Sequence, residues 1–177
     1  MPIIIRNIIR FFLLLLFQIL ILNNLYNLVV ANSFILPHLY IVFILLLPFE
    51  TPTWISICLG FLIGLLVDFS IDTEGLHAFA STSIAYFKPR LTKSLSPRDG
   101  YDFNSEPTLR DQGLNWFLVY GSILIFIHHF FLFFLEKLAW SNFFGTLLTI
   151  ILSAVFSLIL VSYKNLTLPT TDSVKIV

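Results

Sequence analysis

The sequence predicts an all-α polytopic membrane protein, a compact bundle of six transmembrane helices with both termini on the cytoplasmic side. Three observations lead there. Of 177 residues, 58% are hydrophobic and only 11% charged, about half the charge of an ordinary soluble domain. The apolar residues, 20 Phe among them, lie in long runs of the kind that cross a bilayer. The basic residues are then distributed one-sidedly. With six spans and a cytoplasmic N-terminus, Arg6, Arg10, Lys88, Arg90, Lys93, Arg98, Arg110, Lys164 and Lys175 all fall inside, and only Lys137 falls outside. An odd number of spans would carry either the central basic loop or the C-terminal lysines across the membrane.

The first span, residues 8–29, follows Arg6 and Arg10 as a signal peptide would. Its apolar stretch continues past Leu22, however, and no small-x-small cleavage site follows, so an uncleaved helix is expected. The second, 34–47, is short for ~30 Å of hydrocarbon. It begins after Asn32 or Ser33 as a cap, with Pro37 in its first turn. Pro48 and Pro52 bracket Glu50 in a turn, and Trp54 opens the third span, 54–69, at the interface. An acidic turn with Asp68, Asp72 and Glu74 follows. The fourth span, 75–87, is the least hydropathic. Ala78, Ser81, Thr82 and Ala85 make it small and hydroxylic, which suits a helix buried among others or a re-entrant segment. Residues 88–113 are hydrophilic, punctuated by Pro and Gly, and read as a long cytoplasmic loop. Spans at 114–135 and 143–163 complete the single transmembrane domain.

Two stripes of small residues recur at four-residue spacing: Ser56, Gly60 and Gly64 on the third span, and Gly145, Thr149, Ser153 and Ser157 on the sixth. That spacing stays on one helix face, where small side chains let a neighbouring backbone approach closely. Asp68 ends the first stripe. A carboxylate at the end of a membrane helix needs a partner or water.

Little here points to reaction chemistry. There is no Gly-rich phosphate loop, no HExxH or GxSxG, and one lone cysteine, Cys58. No enzyme is expected and nothing asks for a cofactor. Asp68, Asp72, Glu74 and His77 could ligate a hard cation only if something fixed their geometry. His128 and His129 are adjacent and so point to different faces. At most one is expected to face the bundle. The basic stretch Lys88–Arg98 beside a span suits anionic lipid headgroups better than nucleic acid.

The stretch LGFLIGLLVDF, the acidic turn and GLHAFASTSIAYFKP resemble the bacterial rod shape-determining MreD family. PFETP before the third span and SPRDGYD after the fourth resemble its Bacteroidetes-type variant. The likeness covers about residues 34–103, with Gly64, Leu65, Leu66 and Asp68 as its most recognisable core. It implies a non-enzymatic subunit of the cell-elongation complex in the cytoplasmic membrane. Such a subunit acts with the bitopic protein MreC, and through it with the RodA glycosyltransferase, its transpeptidase and MreB filaments. Candidate partner contacts are then Asp68, Asp72 and Glu74 outside, and Arg90, Arg98 and Asp99 inside. The MreD family is also similar in fold to the S components of energy-coupling-factor transporters. That similarity supplies the alternative, a subunit binding a small molecule or lipid. No substrate-coordinating constellation is visible in the sequence, which favours the scaffold.

Overall fold

A computed structural model describes residues 3–25, 38–101, 105–137 and 143–167. Among them every regular element is helical. Helix α1 (Ile3–Phe17) passes through a π-helical turn, Gln18–Leu22, into the short α2 (Asn23–Leu25). After residues outside the described set come α3 (Ile41–Leu45), α4 (Thr53–Ile71), α5 (Leu76–Ser94), α6 (Leu109–Gln112), α7 (Leu114–Lys137) and α8 (Phe143–Thr167). Among the described residues four stretches are long and apolar enough to cross a bilayer: Ile4–Leu22, Thr53–Ile71, Leu114–Glu136 and Phe143–Tyr163. Large apolar side chains such as Phe12, Leu16, Phe61 and Ile159 point outward from them. In water such a surface would not be tolerated, and in lipid it is the ordinary exterior. The chain is an integral membrane protein with several helical spans.

The expected fourth span is longer than 75–87. Helix α5 runs on through residues 88–94, into the stretch expected to be loop, and Pro89 lies inside it. A proline in a helix removes one hydrogen bond and crowds the carbonyl four residues back. Packing between α4 and α7 carries the helix past that defect. Its end is then held from outside: Tyr101 donates to Thr92 O at 2.6 Å and Trp116 Nε1 to Leu95 O at 3.2 Å. Partial burial raises the Tyr101 phenol pKa, so its hydroxyl remains a donor. Residues Ala78, Ala80, Ser81, Ile84 and Ala85 are all buried. Small side chains here are what allow α5 to sit inside the bundle.

The expected second span changes most. Residues 34–37 lie outside the described set, as do Asn32 and Ser33. The remainder holds only the five-residue α3, and Leu39 through Leu47 are buried throughout. A helix this short leaves backbone groups unpaired at both ends. Inside a membrane protein such groups are tolerated only where protein satisfies them. Each end is served. At the entry, His38 N–H donates to Ser157 Oγ (3.3 Å) and Leu39 N–H to Gln18 Oε1 (2.8 Å). At the exit, Leu45 O accepts from Tyr120 OH (2.8 Å), Leu46 O from Arg10 (3.0 Å) and Leu47 O from Lys88 Nζ. Two basic side chains therefore donate at the C-terminal, partly negative end of α3, the favourable place for donors. Arg6 completes this end by pairing with Glu106, in the segment leading to α7.

Tyr120→Phe keeps the buried ring but strands Leu45 O. Loss of one such bond, with an acceptor left buried, should cost about 1–3 kcal/mol. Thermal unfolding in detergent measures it. An unchanged midpoint would mean that α3 does not depend on this clasp.

Candidate functional site

The turn between α4 and α5 is organised by Asp68. Helix α4 closes on Asp72, whose φ of 58° is left-handed, and α5 opens after Gly75 at φ 88°. Asp and Gly are among the residues that adopt this region most readily. Gly75 brings no capping side chain, so the first N–H groups of α5 need an acceptor from elsewhere. Asp68 supplies it from the preceding helix. Its Oδ1 accepts from His77 N (3.0 Å) and Thr73 Oγ1 (2.6 Å), and its Oδ2 from Ala78 N (2.8 Å). The His77 ring also meets Oδ1 through Nδ1 at 3.0 Å. An ionised carboxylate only accepts, so Nδ1 carries a proton and donates to it. Asp68 is only 4% exposed.

Above this turn the chain gathers all four of its histidines. The His38 ring lies 5.3 Å from His77, 5.7 Å from His128 and 5.3 Å from His129, centroid to centroid. Tyr40 OH donates to His128 Nε2 at 2.6 Å, with Ser81 Oγ at 3.5 Å from the same hydroxyl. His129 Nδ1 donates to Ile125 O (2.8 Å), and its Nε2 accepts from Ser157 Oγ (3.2 Å). His128 and His129 are both fully buried. The expectation that at most one would face the bundle is corrected: α7 packs against α5 on one side and α8 on the other. Its buried arc is wide enough for two neighbouring positions. Sequence reasoning missed the cluster because the four histidines sit on three segments, each alone or paired in an apolar run.

Of the residues singled out earlier, Gly60 and Gly64 lie against α5. A methyl group at Gly60 would stand 3.0 Å from Ser81 O, and one at Gly64 would stand 2.5 Å from Ala78 Cα. Ser56 is buried on the same helix. On α8, Thr149, Ser153 and Ser157 are buried and Gly145 half-buried, with Thr149 Oγ1 donating to Gly145 O at 3.0 Å. Asp72 and Glu74 are exposed, as are Arg90, Arg98 and Asp99. Arg90 is held on its own helix, its guanidinium 4.0 Å over the Tyr86 ring. Asp68, expected at a partner surface, is instead consumed inside the hairpin, because the free N–H groups of α5 need it there. Of the four residues weighed as a cation site only Asp68 and His77 meet. Among the described residues no three His, Cys, Asp or Glu side chains are arranged to hold a metal ion.

A cavity of about 500 Å³ opens beside the Asp68–His77 pair, with His38, Thr73, Asn23 and Glu136 in its lining. On the opposite end of the bundle a groove of about 550 Å³ runs between α1 and α4, walled by Ile8, Phe11, Phe12, Ile55 and Leu59. No known protein family, curated protein or solved structure matches the chain.

Proposed function

We infer that the chain is a non-enzymatic, MreD-like membrane subunit that holds partner proteins of a cell-elongation complex in the cytoplasmic membrane. The observation that supports this most is where the resembling residues lie. The stretch from Pro48 to Tyr101 forms the α4–α5 hairpin, closed by Asp68 and joined along Gly60 and Gly64. A hairpin joined this closely can serve as a spine for partner contacts, which supports the scaffold reading. The helix directions among the described residues support a reading with six crossings. Arg6, Arg10 and Lys88 gather with the start of α1 and the end of α5, and the acidic turn lies at the other end. Partners of the MreC kind would be met by the exposed Asp72 and Glu74 on one side and by Arg90, Arg98 and Asp99 on the other.

Depletion in the host should round the cells, because elongation loses a membrane organiser. Asp72→Asn combined with Glu74→Gln should reduce recovery of the co-purifying partner several-fold at low salt and leave the melting temperature unchanged. Exposed charges tune encounter and register more than fold stability. Unchanged cell shape on depletion would overturn the reading. So would recovery of the protein, from gently solubilised membranes, with no stoichiometric partner.

A further inference from the structure

The cavity beside His77 has the size and wall chemistry of a ligand site. Its volume of about 500 Å³ lies within the ~300–1,000 Å³ common for small-molecule pockets. Its wall departs from regular helix in two places, the π-helical turn Gln18–Leu22 and the left-handed Asp72 beside Thr73. Such departures collect where backbone is shaped for function.

The polar groups say what would fit. Asn23 Nδ2 is buried without a hydrogen-bond partner, a donor awaiting an acceptor. His77, whose Nδ1 donates to Asp68, forms part of the same wall. Glu136 adds an exposed carboxylate. Among the described residues no Lys or Arg lines the cavity, whereas Asp68 stands directly behind His77. The carboxylates of Glu136 and Asp68 favour a cation there over a carboxylate or phosphate. Leu132 and Phe133 supply an apolar wall. We propose that this cavity binds a small organic amine, its protonated nitrogen facing Glu136, its apolar body on Leu132 and Phe133, and an acceptor atom on Asn23 Nδ2. This goes beyond the scaffold reading and does not depend on it.

Three matched probes test it: tyramine, the neutral alcohol tyrosol, and the anion 3-(4-hydroxyphenyl)propionate. Each is titrated calorimetrically into the full chain in nanodiscs of zwitterionic lipid at neutral pH. Tyramine should saturate one site and bind at least about tenfold more tightly than tyrosol, roughly one charge contact's worth. The propionate should not bind. Glu136→Gln should weaken tyramine about tenfold and leave tyrosol unmoved, whereas Asn23→Leu should weaken both. Glu136 is exposed, so its substitution does not threaten the fold, and circular dichroism melting checks Asn23→Leu. Equal affinity for all three probes, uptake that never saturates, or tyramine binding indifferent to Glu136→Gln would each overturn the proposal. None of these results bears on cell shape or partner recovery, so the two readings fail separately.

Discussion

Gly64→Leu should abolish accumulation of the folded protein, while Leu65→Ile one position on should be nearly silent. The difference is geometric. At Gly64 even a methyl group would fall 2.5 Å from Ala78 Cα, which is backbone and cannot swing aside. Two helices must separate to admit a side chain there, and the Asp68 bonds at the end of the same hairpin resist separation. A graded series sharpens the point. Gly64→Ala should cost about 1–3 kcal/mol or more, in the range of overpacked cores. Gly60→Ala should cost less, its nearest neighbour being Ser81 O at 3.0 Å. Gly121→Ala should cost least, because its one close neighbour is the end of a flexible side chain, Leu158 Cδ1 at 3.2 Å, with Phe117 Cε1 at an ordinary 4.0 Å. Fluorescence-detected size exclusion of tagged variants reads the series. If Gly64→Leu elutes as a single folded peak at the wild-type level, the close seam is not what joins these helices.

Asp68→Asn should destabilise the bundle by on the order of 3 kcal/mol, since bonds to a charged acceptor are the strong ones and their donors would remain buried. An amide keeps one accepting oxygen and turns its NH₂ toward N–H groups that also donate. Either His77 N or Ala78 N must then go unpaired. Ser70→Ala, which removes an exposed hydroxyl bonded only to Leu66 O within its own helix, should stay within about 0.5 kcal/mol. Comparable melting curves for the two variants would show that the carboxylate is not the closure of the hairpin. Asp68→Glu is a useful third variant, because it retains the charge but misplaces it by one methylene.

How much of this was legible depends on whether partners lie close in sequence. The small-residue stripe on α4 is visible as spacing alone, and its depth against α5 follows from the same residues. Asp68 was recognisable as a carboxylate that needed a partner, but its role as cap of α5 was not. The donors it serves are backbone groups, which a sequence does not display. Gln18, Arg10, Tyr120 and Ser157 each stand alone in an apolar run, and singly each has an ordinary explanation. Taken together they are a supply of hydrogen-bonding groups inside the membrane. The short apolar segment ahead of Pro48 is the matching demand. Setting the two side by side would have paired them in kind, though not in register. The extension of α5 was hidden by composition: Lys88, Pro89 and Arg90 look like a loop until Lys88 is seen reaching Leu47 O.

The clasp around α3 also sets an order of assembly during synthesis. Gln18 and Arg10, 21 and 36 residues before their partners, are already present when α3 leaves the ribosome. Lys88 arrives 41 residues after Leu47, Tyr120 75 residues after Leu45, and Ser157 119 residues after His38. Until α7 and α8 are inserted, the segment from His38 to Leu47 has neither a complete helix nor a complete set of side-chain acceptors and donors. A nascent chain halted before Tyr120 would therefore hold a half-clasped element at the protein–lipid boundary. Insertion of the C-terminal helices therefore completes the hydrogen bonding of an element laid down in the N-terminal half.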